Sequence, residues 1–178
     1  MDLPLVLPHR QRTPKLLTTP TNLHQILGDG NCLFRAPSYV ITGRQVYHYL
    51  VRQKIVSHMR DIENLLRPHM NMSLNDYIQS TGMAQESVWG SDIEIFAASS
   101  LLSTDIYVYS NVGSNFTWNK FSKSMLDGSP PQNTCSIYIQ HTSGVDYDVV
   151  LDVSLSTNSD TIMVSDLKRG SLGVDKQV

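Results

Sequence analysis

The sequence predicts an α+β or α/β domain in which helices pack on a small sheet. Three observations carry this. Val51, Ile55, Met59, Ile62 and Leu66 recur at spacings of four, four, three and four, the stripe of an amphipathic helix. The string Ser91-Asp92-Ile93-Glu94 opens a second apolar run with a helix-start signature. Three β-branched and aromatic runs then follow: "DIYVYS", "SIYIQ" and "DYDVVLDV". Helices come first and strands after them with short connections, the order of a layered domain.

Taken in order, residues 1–20 carry Pro4, Pro8, Pro14 and Pro20 and predict an irregular N-terminal arm. The domain proper is expected over 21–155. The Val51–Leu66 stripe reads as one helix ended by Pro68. Ser73, with Asp76 three residues on, opens another. In "SDIEIFAASSLL", Ser91 is the expected N-cap and Glu94 closes a capping box, with Ile93, Phe96, Ala97 and Leu101 on one face. The last two strands are joined by a turn at "HTSGV". Residues 156–178, rich in Ser, Asp and Gly, predict a loose C-terminal tail in which Ile162, Met163 and Val164 form at most a short strand.

Composition narrows the function classes. The 178 residues suit one domain with a real core. A formal charge of -2 gives no basic surface for nucleic acid, and no apolar run approaches the ~18 residues of a membrane span. The only cysteines, Cys32 and Cys135, are too few for a disulfide framework, so a reducing compartment, cytoplasm or nucleus, is expected. No C-x-x-C or H-x-x-x-H spacing supports a metal site, and no cofactor is expected. Neither nucleic acid nor membrane is an expected partner, and a monomer is expected.

The informative stretch is "GDGNCLFRAPSYVITG", residues 28–43. Asp29-Gly30-Asn31 is strong turn chemistry, because Gly and Asn tolerate positive φ and Asp bonds nearby N–H groups. The turn delivers Cys32 to the start of a helix-favouring run. There, unpaired N–H groups and the macrodipole favour a thiolate, and the same groups can face an oxyanion. Pro37 interrupts this run, and a kink after Ala36 or an early end of the first turn is expected.

"DGNCLFRA" resembles the signature of the OTU (ovarian tumour) family of cysteine proteases, most of which are deubiquitinases. The likeness extends to "VRQKIVSHM", to "WGSDIEIFAASSLLSTDIYVYS" and to "SIYIQ…DYDVVLDV", in order over roughly residues 22 to 153. It implies an α+β, papain-like OTU domain: a small, mostly antiparallel sheet flanked by helices, with a cleft between the cysteine helix and the final hairpin. It also implies that Cys32 is the nucleophile and that Asp29 shapes an oxyanion hole with the backbone N–H groups of Asp29, Gly30, Asn31 and Cys32. The partner it implies is ubiquitin or a ubiquitin-like protein.

The family's closing strand carries His-Tyr-Asp, and this chain reads Asp146-Tyr147-Asp148. Asp148 matches the orienting acid, while the base position holds Asp146. A carboxylate near pKa ~4 receives a proton from a thiol near ~8.5 only at an uphill cost of roughly 6 kcal/mol. A severely impaired isopeptidase is therefore expected, and a catalytically inactive ubiquitin-binding module stays open beside it. His141 is a substitute base if the "TSGV" turn sets it directly opposite Asp146.

Overall fold

Side chains of successive strand residues point to opposite faces, and this alternation builds two cores here. The structure, a computed structural model, describes residues 17–112, 115–132, 135–142 and 146–154. Its strands are β1 (Pro20–His24), β2 (Ile106–Val112), β3 (Asn115–Phe121), β4 (Ile137–Thr142) and β5 (Asp146–Val153). They form one sheet in the order β1-β5-β4-β2-β3. Only the β2–β4 pair is parallel, with Ile106 opposite Ile137. Ile106, Val108, Ile137, Ile139, Tyr147 and Val149 face the main core. Tyr107, Tyr138 and Val150 face the other side, where Trp118 and Leu17 join them. The Tyr107 and Tyr138 rings stack at 5.2 Å, as their opposed register requires.

The helices are α1 (Cys32–Thr42), α2 (His48–Asp61), α3 (Glu63–Leu66), α4 (Leu74–Thr81), α5 (Asp92–Leu102) and α6 (Lys123–Asp127). Helices α1, α2 and α5 supply the helical side of the main core. The α+β, mostly antiparallel architecture expected from sequence is the one observed. The Ser91–Glu94 capping box is present, and Ser73 caps α4 by accepting from the Asp76 N–H. Phe34, Ala36, Ile55, Met59 and Leu66 are fully or almost fully buried, which locates the centre of the core behind α1.

Three expectations are corrected, and one strand had gone unread. The Val51–Leu66 stripe is buried as expected but belongs to two helices, because the backbone at Ile62 (φ −113°, ψ 21°) leaves the helical region. Helix α1 continues past Pro37 to Thr42, so its first turn does not end early, and the proline ring is buried. The arm does not extend to residue 20. Leu17 is 3% exposed, the Thr18 carbonyl accepts from Trp118 Nε1 at 2.9 Å, and β1 begins at Pro20. Strand β3 gave little signal because its asparagines have low strand propensity, yet Trp118 and Phe121 anchor it on opposite faces. The tail expected over 156–178, with Ile162, Met163 and Val164, lies outside the described residues, as does the arm over 1–16.

Ser87, in the loop between α4 and α5, adopts φ +61°. A side chain in this left-handed region costs about 1–2 kcal/mol. Ser87→Gly is expected to stabilise the fold by roughly 0.5–1 kcal/mol after the unfolded-chain freedom of glycine is subtracted. A denaturant-melt midpoint that falls instead would show that the serine side chain contributes more than the strain removes.

Candidate active site

The Asp29–Cys32 turn is held from three sides. Arg35, one helical turn beyond Cys32, grips the Asp29 carboxylate through two bonds: Nε to Oδ1 at 3.0 Å and Nη2 to Oδ2 at 2.5 Å. This bidentate guanidinium holds the Asp29 carboxyl well below the usual carboxylate range. Oδ1 also accepts the Asn31 N–H at 3.1 Å, closing the turn on itself. Gly30 takes φ +79° against the backbone of Ser87. From within, the Arg52 guanidinium of α2 donates to the Gly30 carbonyl at 3.2 Å and to Asn31 Oδ1 at 3.0 Å.

This geometry revises the expected set of oxyanion-facing amides. The Asp29 N–H is taken by the Leu27 carbonyl and the Asn31 N–H by Asp29 itself. The amides of Cys32 and Leu33, at the first turn of α1, are those beside the sulfur, joined by the N–H of Tyr147. Asp29 bonds the Asn31 N–H and the Arg35 guanidinium within this turn.

Strand β5 brings the two carboxylates to the turn by different contacts. Asp148 Oδ1 accepts the Ile26 N–H at 2.8 Å, which fixes its orientation. The Asp146 carboxylate lies against Gly28, so closely that a Cβ there would sit 2.6 Å from its Oδ1. Asp146 is also the carboxylate whose charge acts on Cys32. Asp146 thus packs against the stretch that leads into the cysteine turn.

His141 is placed differently from the expectation. The register sets it opposite Tyr147, while Thr142 stands opposite Asp146. A one-residue change in loop length moves a side chain to the other face of the strand, and three residues separate β4 from β5 here, not four. The imidazole stacks on the Tyr147 ring at 4.4 Å with 11° between planes. Other histidines pack: His24 stacks on Tyr39 and His69 on Phe96. Among the described residues, no group of three His, Cys, Asp or Glu could hold a metal ion, and no helix is long and apolar enough to cross a membrane.

Electrostatics at Cys32 oppose the thiolate. The residue is 3% exposed, and burial pushes its thiol up from the ordinary value, with the Asp146 charge adding to the rise. The backbone N–H groups of Tyr147, Leu33 and Cys32 pull the other way. Asp146→Asn is expected to increase iodoacetamide labelling of Cys32 at pH 7 about three- to tenfold by removing the like charge. Equal rates would mean that burial alone governs the thiol.

Two residues escaped the sequence reading. Arg35 sits in the quoted run but carries no signal of its own until Asp29 is seen opposite it. Arg52 is 1% exposed and lies 3.8 Å over the Phe34 ring. The clue was present: Arg52, Val56 and Met59 fall on a buried helix face at spacings of four and three.

Comparisons with known proteins bear on this site. The family model described as OTU-like cysteine protease matches residues 27–146, more than half of the chain. Human OTU domain-containing protein 1 is 28% identical over 131 residues, 72% of this chain and 26% of that protein. Ubiquitin thioesterase otu2 of Schizosaccharomyces pombe is 28% identical over 134 residues, 67% of this chain and 41% of that protein. The matched stretch of this chain thus spans a quarter to two fifths of these relatives. Among solved structures, the OTU domain of OTUD1 superposes with a TM-score of 0.61 at 24% identity, covering 73% of this chain and 85% of that one. The Hazara virus OTU bound to ubiquitin gives 0.56 at 17% identity, covering 76% and 82%. Both likenesses concern the fold.

Proposed function

Because the chain belongs to the OTU-like cysteine protease family, we propose that it is a ubiquitin-directed isopeptidase domain whose turnover is depressed by Asp146. Cys32 is the nucleophile in this reading. Its thiolate attacks the carbonyl of the isopeptide bond that follows a ubiquitin C-terminus, and the oxyanion meets the first-turn amides. The amine leaves, a thioester to Cys32 remains, and water releases it. The observation that carries the reading is the Cys32 turn, held by Arg35 and Arg52 with Asp146 at its side.

Asp146 affects two steps. Its charge raises the thiol, and with no histidine at this position no imidazolium is available to protonate the leaving amine. Removing a triad base elsewhere costs about 10⁴ to 10⁶ in turnover, with binding and the oxyanion donors leaving a residual rate.

A second reading, a non-catalytic ubiquitin-binding module, is supported by the raised Cys32 thiol. One experiment separates them: titration with ubiquitin, then a panel of diubiquitins incubated with this chain and with Cys32→Ala. The isopeptidase reading expects saturable binding and slow cleavage above the Cys32→Ala level. Binding with no difference between the two proteins selects the binding module. Absence of binding overturns both.

A further inference from the structure

An asparagine at a helix N-cap ordinarily turns its side-chain oxygen back onto the N–H groups of the second or third helical residue. Asn31 is the N-cap of α1, yet its side chain makes no capping hydrogen bond. Its Oδ1 is engaged elsewhere, accepting from Arg52 at 3.0 Å and from the Ser87 N–H at 2.9 Å. The amides of Phe34 and Arg35 are met by the Asn31 carbonyl. The amides of Cys32 and Leu33 are left to the Cys32 sulfur. The oxygen that would compete for Leu33 has been drawn away by a guanidinium.

We infer that Arg52 is a positioning residue: it holds the Asn31 side chain off the start of α1, so that the Cys32 and Leu33 amides face the sulfur and the oxygen of a bound carbonyl. The consequence for catalysis rests on the isopeptidase reading above; the effect on the thiol does not. Arg52 also donates to the carbonyls of Met83 at 3.1 Å and Val88 at 2.7 Å, so one side chain ties the cysteine turn to the loop that follows α4. Its acceptors are carbonyls, a carboxamide and the Met83 sulfur. A buried guanidinium without a bonded carboxylate is an expensive way to fill a core, and its Nε finds no partner. A fork of donors that reaches two points of the turn at once is what an apolar side chain would not supply, and a lysine would supply it only in part.

Among the described residues, charged and titratable groups that act on the Cys32 sulfur include Asp146 and Tyr147 from β5 and Arg52 from α2. A purely electrostatic role for Arg52 is therefore the competing explanation, and Asn31 distinguishes the two. If Arg52 acts through Asn31, deleting the Asn31 side chain should relieve the loss of Arg52. If Arg52 acts only by its charge, it should not.

The test is the pH profile of iodoacetamide labelling in a Cys135→Ala background, which leaves Cys32 as the single thiol, with melting curves to confirm folding. Arg52→Met is expected to slow labelling at pH 7.5 about tenfold and to move the profile upward. Asn31→Ala alone closes the double-mutant cycle, and adding it to Arg52→Met is expected to recover most of the loss. A double variant as slow as Arg52→Met overturns the inference, as does an Arg52→Met profile like that of the unaltered chain. Should Arg52→Met fail to fold, Arg52→Lys decides: labelling slowed and then relieved by Asn31→Ala supports the inference, and full-rate labelling shows that charge alone suffices. Diubiquitin cleavage is read separately, so loss of the isopeptidase reading would leave this labelling pattern standing, and the reverse.

Discussion

Asp146→His is expected to raise diubiquitin cleavage by roughly 10³-fold or more over the unaltered chain. Three features of the site support so large a gain from one residue. The Asp146 charge acts on the Cys32 thiol and its carboxylate lies against Gly28, so the new imidazole starts beside the cysteine turn. Gly28, lacking a side chain, lets the side chain of residue 146 lie directly over its backbone. Asp148 is held by the Ile26 N–H through one oxygen, and a carboxylate retains further lone pairs with which to orient an imidazole N–H. The substitution also removes the charge that raises Cys32, so nucleophile formation and leaving-group protonation improve together. The rate should follow a rising limb set by the histidine–cysteine pair, and Cys32→Ala in the same background should abolish it. Folded Asp146→His protein that binds ubiquitin and stays silent would show that more than the base has been lost.

Gly30→Ala is expected to be the most damaging conservative change in the turn. The residue adopts φ +79°, and a Cβ there would lie within 2.4 Å of the Ser87 carbonyl oxygen, which is backbone and has no rotamer to give. Left-handed strain and displacement of the 82–90 loop together should destabilise the fold by about 2–4 kcal/mol, lowering the melting temperature by roughly 5–12 °C. Labelling of Cys32 should change as well, since the Gly30 carbonyl is one of the points that Arg52 holds. Gly28→Ala is the contrast. Its Cβ meets only the end of the Asp146 side chain, which can rotate away, so its melting temperature should move far less. Equal losses from the two alanines would place the constraint outside the Ser87 contact.

These contrasts trace what the sequence made legible. Turn chemistry at Asp29-Gly30-Asn31, the Ser91–Glu94 box and the alternation in "DYDVVLDV" are local patterns, and each corresponds to an element in the structure. Even Asp146 could be placed, because a residue two before Asp148 shares its face. Arg52 could not be assigned a role, because its acceptors lie at Gly30, Asn31, Met83 and Val88, and only folding brings those stretches together. His141 failed for a subtler reason. Loop length fixes register, and one residue in the "TSGV" turn decides which side chain stands opposite Asp146. Strand β1 was hidden by Pro20 and by its own brevity, and it is recruited by pairing with β5.

The contrast in burial between the chain's two tryptophans gives it a pair of built-in optical reporters. Trp118 is 2% exposed on the face away from the helices, while Trp89 is 53% exposed in the loop that the cysteine turn leans on. A soluble quencher such as iodide should reach Trp89 and spare Trp118. A partner that covers this loop would then register as a loss of quenching at Trp89, with no change in the emission from Trp118. Detachment of the Leu17–Thr18 segment would do the opposite, shifting Trp118 emission to the red while the Trp89 signal stays constant.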